Sequence, residues 1–576
     1  MDHGDTPSWV VVGRAVPDVV AVLLDPAGEE ISREFIREGD LAQWVSDAEA
    51  SWSPRWVWND TPQWYAGLLE RGIRVARCHD LRLSHAILAS AASVPADAAV
   101  RLATAWSVAV EARGEGARPA LFDWDDAAST TGLPADLPGV LDEFRRQRDA
   151  IATSAEPGRM RLLLAAESAG ALIAAELRAA GLPWDAAEHD RILTDVLGER
   201  GAGGGPPRKL AAAAAQVRDA LGDPALSLDS QPKLLRALHR AGVLVESTSR
   251  WELARHRHPA IEPLLEYKKL ARLQSANGWA WLAEWVAEGR FRPVYVPGGV
   301  VTGRWASSGG GALQLPRQLR AAVRADPGWR LIVADVAQLE PRVLAAMAGD
   351  LLLAEAARGR DLYAGIVDAG VLPSRAEAKV ALLGAMYGAT TGDSGRLVPR
   401  LRRAFPRAMA LVDDAARIGE EGGIVSTWLG RSSPAPSERW RDAQTLAADA
   451  DATETDESSA RRRARDRGRF TRNFIVQGTA AEWALAWLAD LRNRLAALPP
   501  VAEEDSAPRS GLAFATRPHL SLFLHDEVIV HAPAAHAEAA ARAVQEAADA
   551  AGRLLFGDFP IDFRLDVHVT DTAAKD

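Results

Sequence analysis

Two distant segments of this chain each read as a β-strand that delivers an acid to its end, and that pairing restricts the fold more than any other feature. Leu520-Ser-Leu-Phe-Leu524 and Val528-Ile-Val530 are apolar runs flanking His525-Asp526-Glu527, the layout of a tight hairpin with a polar tip. Leu331-Ile-Val-Ala-Asp335 is an apolar strand closing on a carboxylate, and a helical run follows from Pro341, read as a first helical residue, through Met347. If these strands are neighbours, Asp335 and Asp526 face each other at one sheet end and repel unless a hard, oxygen-loving cation lies between them. Two Mg²⁺ ions meet that need, and such a pair activates a hydroxyl nucleophile and stabilises a pyrophosphate leaving group. Taken singly, each acid also reads as an ordinary solvated turn residue.

The chain has 576 residues, more than one core organises, so two or more domains are expected. No apolar run reaches the length of a membrane span, and Met1-Asp2-His3-Gly4-Asp5 lacks the layout of a signal peptide, so a cytoplasmic address without membrane association is expected. The single cysteine, Cys78, excludes an internal disulfide and reads as a packing residue. Net charge is -10, which argues against phosphate binding until its distribution is considered. Basic residues cluster from Arg396 to Arg407 and from Arg461 to Arg469, while acids gather from Asp449 to Glu457.

Residues 1–155 mix the β-branched run Val10-Val11-Val12 with helical stretches and read as α/β. From Met160 to about Gly289 the pattern is helical, broken at Gly201-Ala-Gly-Gly-Gly-Pro-Pro207. Arg330 to Val336, the hairpin, and Ile561 to Val569 read as strands of one sheet. Asp442 to Ser459 and Val501 to Ala507 are polar enough to be expected disordered.

Two helical stripes repeat every four residues. Arg375, Lys379, Leu383 and Tyr387 form a ladder of about 6 Å per step, with two cations for phosphate oxygens and two apolar groups for a base or sugar. Arg469, Asn473 and Gln477 present donors suited to the minor-groove acceptors that every base pair shows. Each stripe alone is equally an amphipathic helix with a wet side.

Order and spacing together are more specific. Asp335-Val-Ala-Gln338-Leu-Glu340-Pro-Arg342, then Arg375-x3-Lys379-x7-Tyr387-Gly388, then His525-Asp526-Glu527 resemble the three polymerase motifs of family A DNA polymerases. Thr302-Gly303-Arg304 and Leu313-Gln314-Leu-Pro316 resemble the segment before the first motif, and Leu265-Glu266-Tyr267-Lys-Lys-Leu270 resembles the thumb. The resemblance implies that Asp335 and Asp526 bind the metals, with Glu527 a secondary acid. It further implies that Glu340 excludes a ribose 2′-hydroxyl, that Arg375 and Lys379 hold triphosphate, and that Tyr387 packs beside the nascent pair. Primer-template contacts would come from Arg304, Arg342, Arg469, Asn473, Gln477 and His525, with Gln338 near the nucleotide. The chain departs from the family pattern at Leu383, where an aromatic is usual, and at Tyr363, which takes the place of a phosphate-contacting histidine. Losing the aromatic at Leu383 is expected to weaken nucleotide stacking by about 1 kcal/mol.

The N-terminal region resembles a 3′ to 5′ exonuclease through Trp58-Asn59-Asp60 and Cys78-His79-Asp80-Leu81. Its first strand runs into Gly13-Arg14 instead of an Asp-x-Glu, and Asp47-Ala-Glu49 lies in a helical pattern, so a catalytically dead scaffold is expected. The implied organisation is α/β and α+β: a ribonuclease H-like exonuclease fold (1–155), thumb (156–300), first part of the palm (301–350), fingers and primer-template helices (351–500) and second part of the palm (501–576), with no 5′ nuclease domain. The implied activity is DNA-directed nucleotidyl transfer from dNTP to a primer in replication or repair, using two Mg²⁺ for which Mn²⁺ substitutes. A non-catalytic DNA-binding scaffold and a 3′ to 5′ exonuclease using the N-terminal domain remain as alternatives, and oligomeric state is not legible.

Overall fold

Alternating β-branched residues build the first sheet. A computed structural model describes residues 6–107, 132–311, 315–388, 392–449 and 451–574; Met1 to Asp5, Leu313 and Gln314 lie outside them. Strands β1 (Trp9–Ala15), β2 (Asp18–Leu24), β3 (Glu30–Ile36), β4 (Arg55–Trp58) and β5 (Arg77–Asp80) form a sheet of order β3-β2-β1-β4-β5. The β1–β2 and β2–β3 pairs are antiparallel, the β1–β4 and β4–β5 pairs parallel. Because successive side chains point to opposite faces, Val10 and Val12 pack with Trp56, Trp58 and Tyr65, while Val11, Val20 and Val57 pack with Val140 and Phe144. Around this sheet run α1 (Leu41–Ser51), α2 (Thr61–Glu70), α3 (Leu81–Ser90), α4 (Leu137–Thr153) and α5 (Pro157–Ala180). Cys78 is buried, its thiol donating to the Ser168 carbonyl at 3.4 Å, and burial pushes its pKa up.

The chain divides into two units, one of residues 1–181, 293–313 and 326–571, the other of 182–292, 314–325 and 572–576. This differs from the expected boundary at 156, because α5 joins the first unit. Its Glu176 is buried against Tyr65 and Arg492 and its Ser168 against β5, contacts that a boundary drawn from composition does not register.

In the second unit, the short strands β6 (Leu182–Pro183), β7 (Val286–Ala287) and β8 (Arg290–Phe291) accompany α6 (Ala186–Leu197), α7 (Arg208–Leu221), α8 (Gln231–Arg240), α9 (Arg250–Leu253), α10 (Ile261–Asn277) and α11 (Trp279–Trp285). Trp184, His189, Trp281 and Phe291 close its base, with Trp281 and Phe291 centroids 4.9 Å apart. The expected all-helical run is thus interrupted by strand pairing, which two-residue segments do not signal in sequence.

Back in the first unit come β9 (Val294–Val296), β10 (Ala306–Gly309), β11 (Trp329–Val336), α12 (Leu339–Ala348), α13 (Leu351–Ala357), α14 (Leu362–Asp368) and α15 (Arg375–Tyr387). There follow α16 (Gly392–Ala404), α17 (Pro406–Glu420), α18 (Glu438–Ala447), α19 (Glu454–Ala497), β12 (His519–Leu524), β13 (Glu527–Pro533), α20 (Ala537–Phe556) and β14 (Leu565–Thr570). The segments read as one sheet do form one, antiparallel and of order β12-β13-β11-β14. The last strand begins at Leu565 rather than Ile561. Pro341 is the third residue of α12, still in the first turn, where its missing N–H is not needed.

Both expected disordered inserts are ordered. Ser437 caps α18, and Thr453 with Asp456 forms a capping box that starts α19. Gln444 then donates to the Ala460 carbonyl at 3.0 Å, tying α18 to α19. Val501 to Ala507 is held by the Val501 amide to Thr516, the Ala507 amide to Ala515, and the Trp329 indole to the Asp505 carbonyl. Caps and backbone bonds hold these segments where apolar burial does not.

Candidate active site

The strand and the hairpin set the acids. Asp335 lies at the end of β11 with Glu527 directly across on β13 and Asp566 across on β14, so three carboxylates share a row and a face. Leu524 pairs with Glu527, leaving His525 and Asp526 as a two-residue turn, with His525 at φ 59°. The Val336 amide donates to the Asp526 carbonyl at 2.9 Å, which fastens the hairpin tip to the strand end bearing Asp335. Burial pushes Asp526 up to about 6, and repulsion from Asp335, Glu340 and Glu527 adds to it, against the attraction of Arg304. That surplus of negative charge is the electrostatic condition a divalent cation relieves. Among the described residues, no group of three or more His, Cys, Asp and Glu is arranged to hold a metal by itself. The donors on offer are all oxygen, which suits Mg²⁺, an ion commonly bound through one or two carboxylates plus substrate phosphates.

Next to the acids, Glu340 in the first turn of α12 is bonded on one oxygen by Arg304 and on the other by the Tyr387 hydroxyl. Burial, with the bond to Glu340, pushes Tyr387 upward, so it stays a donor. Gln338, at φ 51° between β11 and α12, donates to Asp361 at 3.0 Å and accepts from the Leu362 amide at 3.3 Å. Arg375 starts α15 and donates to Asp361 at 2.8 Å, its guanidinium 5.6 Å from the Tyr363 ring centre. Burial would push Asp361 up, but Arg375 and backbone amides hold it below its ordinary value. Lys379 is exposed one turn on, whereas Leu383 is half-buried and packs on the helical core of residues 344–476. Asp361 was not legible as a site residue, because an aspartate before a helix is the common N-cap signature, and it also fills that role toward the Ala364 amide.

The second stripe sits on α19. Gln477 accepts from the Thr302 hydroxyl at 3.0 Å, Asn473 is half-buried, and Arg469 is exposed beside Asp466. Gly388, at φ 73°, ends α15 where a side chain would meet the Arg469 stem. A pocket lined by Arg304, Trp305, Ala481, Phe523, His525 and Asp526 opens beside the hairpin tip.

Arg342 departs from expectation. It is fully buried, donating to the carbonyls of Ala337, Ala357, Arg360 and Asp562 and to the Asp562 carboxylate, and so is committed to joining chain segments rather than to DNA. A guanidinium has five N–H donors, and a site enclosed by carbonyls uses them internally.

In the N-terminal sheet, Asp60 and Asp80 are buried and engaged: Asp60 accepts from Arg82 at 2.8 Å, and Asp80 from the Thr61 amide and hydroxyl and the Leu83 amide. Asp47-Ala-Glu49 lies inside α1, where Glu49 accepts from the Trp56 indole at 2.6 Å.

An antiparallel sheet with facing carboxylates at one edge, beside a helical layer that carries cations toward them, defines a right-hand polymerase fold. Residues 215–572 match DNA polymerase family A. The chain belongs to that family, whose members are metal-dependent. It is 29% identical over 349 residues to DNA polymerase I of Chloroflexus aurantiacus, covering 56% of this chain and 33% of that one. To the thermostable DNA polymerase I of Thermus aquaticus it is 27% identical over 346 residues, covering 55% and 36%. The chain therefore spans about a third of the length of the curated relatives it matches. The POL domain of Pol1 from M. smegmatis, solved in complex with DNA primer-template and dNTP, has the same fold, with TM-score 0.66 and 17% identity over 99% of this chain and 96% of that one. Among the described residues no helix is long and apolar enough to cross a membrane.

Proposed function

We propose that this chain extends a DNA primer on a template by nucleotidyl transfer from dNTPs, in replication or repair. The reading is carried by the backbone bond that joins the Asp526 turn to the end of the strand bearing Asp335. Asp335 and Asp526 would hold two Mg²⁺, for which Mn²⁺ substitutes, and the bound ions would activate the primer hydroxyl and neutralise the leaving pyrophosphate. Glu527, buried opposite Asp335, adds field rather than a free ligand.

The chain's own residues supply orientation. Arg375 and Lys379 meet triphosphate oxygens from the start of α15. Glu340, fixed by Arg304 and Tyr387, stands where a ribose 2′-hydroxyl would need room. Tyr387 offers its ring to the nascent pair, Leu383 lends only a half-buried edge, and Tyr363 backs Arg375. Arg304, Gln477, Asn473, Arg469 and His525 face the primer-template, and Gln338 braces the nucleotide side. In this reading residues 301–350 and 501–576 are the palm, 351–500 the fingers, and 182–292 the core of the thumb. The primer-template and dNTP in the M. smegmatis structure support these partners. The protein would act in the cytoplasm.

Extension of a labelled primer-template with four dNTPs and Mg²⁺ tests the proposal. Wild type is expected to extend and Asp526→Ala to fall by at least about a thousandfold, given the weight of charge stabilisation in such reactions. Retention of duplex without extension by wild type would instead favour the DNA-binding scaffold.

A further inference from the structure

Arg375, the first cation of α15, is already occupied. Its guanidinium donates to Asp361 Oδ2 at 2.8 Å and lies 5.6 Å from the centre of the Tyr363 ring. The same Asp361 oxygen accepts from Gln338 at 3.0 Å, and the other oxygen accepts from the Ala364 amide at 2.8 Å. Gln338 answers by accepting from the Leu362 amide at 3.3 Å. A chain of contacts thus runs from the carboxylate-bearing strand end, through Gln338 and Asp361, to the first turn of α15.

We propose that Asp361 is a displaceable counterion for Arg375, holding the guanidinium in place until the triphosphate of an incoming nucleotide takes it over. This rests on the nucleotidyl-transfer reading above.

Three observations support exchange rather than a permanent bond. The pair is exposed, Arg375 at 58% and Asp361 at 29% of their side chains, so parting it costs little. Asp361 keeps Gln338 and the Ala364 amide when Arg375 leaves, so no carboxylate oxygen is stranded. The Tyr363 ring offers the guanidinium a face that does not compete for its N–H donors, so Arg375 keeps a support while its hydrogen bonds change partner. A phosphate group, carrying more charge than a carboxylate and several acceptor oxygens, is the stronger partner. Asp361 is therefore a positioning residue that acts through Arg375. Its effect falls on nucleotide affinity, and it opposes anions too weak to displace it.

The test is single-nucleotide incorporation by the full chain over a range of dNTP concentrations, with direct titration of dNTP alongside. Asp361→Asn keeps a good N-cap side chain, so folding is retained, and removes the charge. It is expected to lower the KM for dNTP about threefold, the scale of an exposed ion pair, with kcat within about twofold. In an Arg375→Ala background the same change is expected to leave KM where it was, since the freed group is absent. A KM unchanged or raised by Asp361→Asn alone overturns the proposal, as does an equal drop in both backgrounds. If wild type extends no primer but binds dNTP more tightly after Asp361→Asn, the counterion role stands and the polymerase reading fails. If wild type extends primers and Asp361→Asn changes neither KM nor binding, the reverse holds.

Discussion

Asp526 shows how one side chain trades stability for reactivity. Burial and three neighbouring acids raise it from 3.8 to about 6. A carboxyl with a raised folded pKa favours the fold while protonated: its contribution is complete below 3.8 and is lost as pH climbs through about 6. Without metal, the ionised group is therefore a liability near neutrality. Asp526→Asn, which removes the charge at similar size, is expected to raise unfolding free energy in EDTA by about 1 kcal/mol at pH 7.5, after allowance for screening, and by almost nothing at pH 5. Urea unfolding at the two pH values measures both, and equal effects at both would remove the electrostatic explanation. Arg342 and Arg375 make the complementary point. Both stand in motif positions, yet one is enclosed by carbonyls and the other reaches solvent, a distinction set by neighbours up to 220 residues away.

At the scale of elements, α19 is the principal organiser of the first unit. Its 44 residues run about 66 Å and carry Arg469, Asn473 and Gln477 in one half and Arg492 in the other. Arg492 is buried against Glu176 at 2.7 and 3.0 Å and donates to the Val75 and Ala76 carbonyls. Burial would raise Glu176, but Arg492 and Arg74 hold it down at about 2. Replacing Arg492 by Met strands that carboxylate and is expected to cost about 3 kcal/mol. Thermal or urea denaturation reads the loss, and a change within about 0.5 kcal/mol would mean the network relaxes around the gap. Strands and helices with strong periods were legible beforehand: the hairpin, the Asp335 strand, α15 and α19 all follow from alternation or four-residue spacing. What stayed hidden rests on partners rather than period. The order in Asp442 to Ser459 comes from caps and from packing along α19, the two-residue strands exist only as pairs, and Asp361 gains its second role from a helix that starts 14 residues later.

For the molecule as a whole, sequence and fold have drifted at different rates. The family match begins at residue 215, while the fold likeness to the M. smegmatis POL domain extends over 99% of the chain. In the N-terminal sheet the acids that most resemble an exonuclease centre are tied to Arg82, Thr61 and Leu83, leaving them poor metal ligands. Purified protein is accordingly expected to leave single-stranded DNA intact in Mg²⁺ or Mn²⁺, as gel electrophoresis of a labelled strand would reveal. Degradation abolished by Asp60→Ala but not by Asp335→Ala would overturn this.

The Arg492 junction gives that silent layer a purpose. Because the far end of the long rod is moored in the N-terminal sheet through Tyr65, Val75 and Ala76, the layer serves as a foundation for the stripe at the other end. Evolution can erase such a foundation's chemistry without penalty, but shaving away its masonry would let the beam sag.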